Sequence, residues 1–183
     1  MWTHTCQVVL ATTRADLVQP CLCIQFPIRK TRRMPTTIAP SHPKRMLLFF
    51  VAQDLDDAIR AKVRDFVLRL ASLRHWVNGP PRFVNSRDEP SDASRGDLPV
   101  ETVGGYLEIY STLPPWTLPR ELEIQHLEEV AALVNALREF SGEQGLSIEL
   151  ELDGELVGAI DDGKMDRSLT EGLVGEWRRH LGL

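Results

Sequence analysis

The segment Ile148-Glu149-Leu150-Glu151-Leu152-Asp153-Gly154-Glu155-Leu156-Val157-Gly158-Ala159-Ile160 decides the fold of this chain. Its first half alternates strictly. Ile148, Leu150 and Leu152 fall on one side of an extended strand, and Glu149 and Glu151 fall on the other. Asp153-Gly154 supplies the two residue types that tolerate positive φ in a type I′ turn, so the segment predicts a β-hairpin that returns through Glu155–Ile160. Gly158 allows a bulge or a close approach to a helix. The first strand buries one face and keeps a carboxylate face in water, as antiparallel sheets commonly do.

Upstream of the hairpin, Leu127, Val130, Val134 and Leu137 form one stripe of an amphipathic helix, and Gly142 and Gly145 mark its end. The run Leu113-Pro114-Pro115-Trp116-Thr117-Leu118-Pro119 separates that helix from a strand, Tyr106–Tyr110. In that strand Leu107 and Ile109 oppose Tyr106, Glu108 and Tyr110. Gly104-Gly105, ahead of it, reads as a bulge or turn. Ser86–Asp97, rich in Ser and charge, reads as a mobile surface loop, and Arg82–Val84 as a short strand.

Further upstream, Ile59, Val63, Phe66, Leu70, Leu73 and Val77 recur at steps of four and three. They predict a helix entered through Asp54, Asp56 and Asp57 and stopped before Asn78-Gly79-Pro80-Pro81. Leu47–Val51 is wholly apolar, which suits a buried central strand. Downstream of the hairpin, Asp161-Asp162-Gly163 turns the chain. Ser168 and Glu171 then have capping-box spacing, and Leu169, Leu173, Trp177 and Leu181 line a last helix with Arg178, Arg179 and His180 at its end. The order β-α-β-β-α-β-β-α lacks regular β/α alternation. It predicts an α+β fold, a mainly antiparallel sheet of four to five strands with about three helices packed on one face.

The chain has 183 residues, 43% of them hydrophobic and 26% charged, which suits one globular domain with an extension. Charge is unevenly divided. Residues 1–46 hold seven basic side chains against one acidic one, net +6, and the remainder holds 14 against 25, net −11. Residues 1–45 read as a disordered basic tail and 46–183 as a single acidic domain. The tail has three readings: a transit peptide, a basic arm, or translated sequence upstream of the natural start. The last is favoured, because Met46 directly precedes the first strand-like run.

Cys6, Cys21 and Cys23 all belong to the tail, so the domain has no thiol for a disulfide, a zinc knuckle or a nucleophile. That pattern suits a cytoplasmic protein. The longest apolar runs, Val8–Ala11 and Met46–Ala52, fall far short of the roughly 20 residues that cross a bilayer. The acidic domain repels phosphate backbones and anionic membranes, so nucleic acid would have to meet the tail first.

Among residues with chemistry to offer, Asp161, Asp162 and Asp166 cluster around Gly163. Their spacing departs from the calcium-loop pattern, and an acidic turn into a helix explains them better than a metal site. His126 and Glu129 lie three apart on the second helix and are able to meet, as a general base and its partner would. Ordinary surface or helix-end positions account better for His75, His126 and His180. The chain contains no G-x-S-x-G elbow, S-x-x-K pair or phosphate loop, and no cofactor is implied.

A binding surface remains. Tyr106, Tyr110 and Trp116 fall within eleven residues beside a proline-rich loop, and Glu101, Glu108, Glu149, Glu151 and Glu155 make an acidic face if their strands are neighbours. The sequence therefore predicts a non-catalytic protein-binding module, an adaptor or an immunity-like inhibitor. It binds a basic protein partner through Tyr106, Glu108, Tyr110, Trp116, Glu149 and Glu151. The alternative is a small hydrolase or transferase using His126, with Glu129 beside it, and carboxylates of the Asp161–Asp166 loop.

Overall fold

A computed structural model describes Ile38, residues 41–88 and residues 100–183, which belong to one compact unit. The three cysteines, the tail up to residue 37 and residues 89–99, including the end of the expected loop, lie outside the described residues.

The hairpin forms as its alternation requires. β4 (Ser147–Leu152) and β5 (Glu155–Asp161) pair antiparallel around Asp153 and Gly154, whose φ angles of 55° and 85° are those a type I′ turn needs. Leu150 faces Gly158, but Glu151 faces Leu156, so Val157 is the extra residue of a β-bulge. Gly158 also meets the second expectation for it. A Cβ there would come within 2.7 Å of both the Asp166 carboxylate and Leu169.

The hairpin is tied to the first strand, β1 (Lys44–Val51), which pairs with β4 on one side and with β3 (Val100–Tyr110) on the other. β2 (Arg82–Asp88) flanks β3, and a two-residue strand, β6 (Lys164–Met165), flanks β5. The sheet therefore has six strands in the order β2-β3-β1-β4-β5-β6, every pair antiparallel. The α+β class and the antiparallel sheet agree with the sequence reading. The strand count is higher, because β6 is too short to carry a period.

Three further differences have local causes. Ser86–Asp88, read as loop, extend β2, where polar side chains are tolerated on an exposed edge strand. Gly104 and Gly105, read as a turn or bulge, sit mid-strand in β3, where the backbone of β1 and the ring of Phe49 come too close for a side chain. Lys44 and Arg45, read as tail, begin β1. Lys44 pairs with Glu108 at 2.9 Å and Arg45 with Asp153 at 2.7 Å, and His42 meets the Ser111 carbonyl at 2.8 Å.

The first helix, α1 (Asp57–Ser72), is capped by Asp56, whose carboxylate accepts the Ile59 N–H at 2.7 Å. It ends a turn earlier than its period predicts. Leu73 is 73% exposed, and the buried Trp76 folds back to donate its indole N–H to the Ala71 carbonyl. The second helix, α2 (Arg120–Gln144), closes on Gly145 in the left-handed region. Ser168–Leu173 winds as a π-helical turn into α3 (Val174–Leu181). The expected capping box is not used: Asp166 accepts the Leu169 N–H at 2.9 Å, and Glu171 faces Arg167.

The core lies between one sheet face and the helices. Leu47, Phe49, Val103, Leu107, Ile148, Leu150 and Ile160 meet Val63, Phe66, Leu70, Val130, Leu133 and Leu137. Each such side chain contributes about 1.5–3 kcal/mol by leaving water.

The hairpin turn is stitched to β1 through the Asp153 carboxylate, which accepts the Met46 N–H at 2.8 Å and the Arg45 Nε–H at 2.7 Å. Burial pushes this carboxyl up, but the bonds from Arg45 and Met46 and the Arg45 charge outweigh burial and hold it below its ordinary value. A depressed folded value contributes stability above the unfolded carboxyl value of about 3.9, lost as pH falls further through the folded value. Urea unfolding of the parent and Asp153→Asn is therefore expected to show a gap at pH 6 that closes towards pH 2.5. A gap independent of pH would contradict this role.

Candidate functional site

Because β1 is apolar at consecutive positions, it presents hydrophobic side chains to both faces of the sheet. Leu47, Phe49 and Val51 enter the core. Met46, Leu48 and Phe50 point to the other face, where Leu48 and Phe50 are half-buried and Met46 is 42% exposed. The sequence reading of β1 as a fully buried strand is thus corrected: the helices cover one face only.

Register places the neighbours of this apolar row. Leu48 lies between Tyr106 on β3 and Glu151 on β4, Phe50 lies between Gly104 and Glu149, and Met46 lies opposite Glu108. A shallow groove of about 550 Å³ runs along this face past Leu48, Phe50, Thr102, Glu149 and Glu151. Of the predicted partner-binding residues, Tyr106, Glu108, Glu149 and Glu151 share this open face, with β1 between the two carboxylate strands.

Charges on the face are unequally committed. Glu108 is held by Lys44, and Tyr106 accepts a hydrogen bond from Arg82, whose guanidinium also lies 5.9 Å from its ring centre. Glu149 and Glu151, about 7 Å apart along one side of β4, form no hydrogen bond or ion pair among the described residues. Glu101 also lines the end of this groove, but its carboxylate is turned to the arginines. It is bound by Arg60 and Arg87, and the Arg60 hydrogen bond and charge hold its carboxyl below the usual range. Glu155 faces Leu152 across the hairpin, on the helix side.

Tyr110 and Trp116 are not brought onto the face. They sit at the end of the sheet, edge-on to the His42 ring at centroid distances of 5.3 and 5.6 Å, with Trp116 43% exposed. Tyr110 also meets the His126 ring at 5.6 Å.

His126 and Glu129 do meet, but in the interior, at 0% and 1% exposure, which corrects the surface placement of His126. The Tyr110 N–H points at Nε2 at 3.4 Å, so Nε2 is the acceptor and the ring proton sits on Nδ1, 3.3 Å from Glu129 Oε2. Glu129 Oε1 accepts the Val77 N–H at 2.6 Å. All these groups are committed to holding α2 against the end of β3 and the loop after α1.

The Asp161–Asp166 loop lies elsewhere. Gly163 packs against Gly142, about 24 Å along α2 from His126. Its carboxylates serve separate partners: Asp161 accepts from the Ser147 hydroxyl at 2.6 Å, and Asp166 from the Ala159 and Leu169 N–H groups at 2.9 Å each. Asp162 turns outward at φ 48°. Among the described residues, no group of three His, Cys, Asp or Glu is placed to hold a metal ion. No described helix is long and apolar enough to cross a membrane.

The site residues that the sequence reading missed are Leu48 and Phe50. Their signal was present in the consecutive apolar residues of β1, twice what a one-faced strand needs. Comparison with known proteins finds no matching family profile, no significantly similar curated protein and no significantly similar solved structure.

Proposed function

We propose that this chain is a non-catalytic protein-binding module, an adaptor or an inhibitor, that receives a basic partner on the open face of its sheet. The observation that carries the reading is the pair Glu149 and Glu151. Among the described residues, both stand without a cation of their own, beside the half-buried Leu48 and Phe50. An apolar row rimmed by uncommitted carboxylates offers hydrophobic area for affinity and charge for orientation and selectivity. The partner it suits presents Lys or Arg next to aliphatic or aromatic side chains. Catalysis by His126 draws no support from a ring whose two nitrogens are both engaged in the interior.

The test is quantitative affinity capture with the parent, Glu149→Lys/Glu151→Lys and Trp116→Ala. The charge reversal is expected to lower recovery of basic partners about tenfold or more, with raised salt acting in the same direction. Trp116→Ala, away from the face, leaves recovery near the parent's. Equal recovery by the parent and the charge-reversed protein would overturn the proposal.

A further inference from the structure

A second concavity lies on the helix side, where the start of α2 and the segment Ser168–Leu181 stand apart from the ends of β1, β3, β4 and β5. This open cleft has a volume of about 760 Å³, within the range of small-molecule pockets. Its floor is apolar, built from Ile109, Leu152, the bulged Val157, Leu173 and Trp177, and its rim carries Arg45, Glu123, Glu176 and His180. The bulge in β5 and the wide π-helical turn shape two of its walls.

The rim charges are not balanced among themselves. Arg45 is already met by Asp153 at 2.7 Å. Glu123 forms no hydrogen bond or ion pair among the described residues. Glu176 faces only Arg179, at 3.7 Å, with both side chains largely exposed, a geometry that contributes about 0–1 kcal/mol. An apolar floor containing an indole, beneath two weakly committed carboxylates, is complementary to a cation with a hydrocarbon body.

We propose that this cleft binds a small organic cation of the alkylammonium class, its chain lying on Leu173 and Trp177 and its charge met by Glu123 and Glu176. The bound cation satisfies carboxylates that the fold leaves open, and its chain removes exposed apolar surface from water. An alkyl carboxylate of the same length gains the second term and is repelled in the first.

The experiment uses the full-length ¹⁵N-labelled chain with octylammonium, octanoate and octyl glucoside as probes. Calorimetry gives affinity, and the Trp177 indole signal locates the site. Octylammonium is expected to bind saturably, with shifts centred on Trp177 and residues 172–180, at least tenfold tighter than the other two. Glu123→Gln/Glu176→Gln is expected to weaken it at least tenfold with the thermal midpoint unchanged. Octanoate binding as tightly, no saturable octylammonium binding, shifts centred on Leu48 and Phe50, or an undiminished affinity in the double variant would each overturn the proposal. Glu149→Lys/Glu151→Lys, on the other face, is expected to bind octylammonium as the parent does, which separates this site from the protein-binding face.

Discussion

Gly104→Ala is expected to lose the cooperative unfolding transition, or to retain it only at much reduced temperature. A Cβ at this position would run into the Phe49 carbonyl oxygen and lie 2.7 Å from the Phe50 Cα, both backbone atoms of β1. Rotamer changes give no relief, and β1 cannot move aside, because β4 pairs along its other edge. Ordinary overpacking costs about 1–3 kcal/mol, relieved by small shifts. Here the central strand pair must separate, which approaches the whole stability of a typical domain, about 5–15 kcal/mol. Gly172→Ala is the control: nothing lies within 4 Å of its added Cβ, and alanine there is expected to be neutral or stabilising by up to about 1 kcal/mol. Thermal melts followed by circular dichroism compare the two. A parent-like melt for Gly104→Ala would show that β1 and β3 are spaced more widely than described.

The second large effect concerns the buried pair. His126→Leu leaves the Glu129 carboxylate at 1% exposure with only the Val77 N–H as partner, and a buried carboxylate that loses its Nδ1–H donor costs about 3 kcal/mol. For a domain of this size the thermal midpoint is expected to fall by about 6–12 °C. Adding Glu129→Met removes the stranded charge, so the double variant is expected to be more stable than His126→Leu alone, although the Val77 and Tyr110 amides then lack acceptors. Simple additivity of the two losses, measured by urea unfolding, would show that Glu129 carries no charge-related cost in the single variant.

Both effects arise where the sequence was hardest to read. Gly104-Gly105 is compatible with a turn, a bulge or a close strand crossing, and only the separation of β1 from β3 selects the third. His126 lies four residues before Val130, at the edge of the α2 stripe, where its polar ring reads as a surface side chain. It is buried because β3 ends against it and the loop after α1 supplies a donor for Glu129. Neither contact is local in sequence: Tyr110 is 16 residues away from His126, and Val77 is 52 away from Glu129. Leu73 shows the converse, continuing the stripe of α1 after the helix has stopped.

Elements with a strong period were legible without any tertiary information. The Ile148–Ile160 hairpin, its type I′ turn, the bodies of all three helices and the antiparallel α+β class follow from alternation, spacing and turn chemistry, which are local properties of the backbone. Side-chain parity paired Tyr106 with Glu108 and Glu149 with Glu151; that the two pairs share one face came from the pairing of β1 with both strands. The order of strands, which puts β1 and its outward Leu48 and Phe50 between the two acidic strands, came only from the fold. So did the burial of His126, the separation of Tyr110 and Trp116 from that face, and the cleft beside Trp177. Strand pairing and helix packing are settled by contacts between residues far apart in the chain, and their summed burial and hydrogen bonding outweigh local preference.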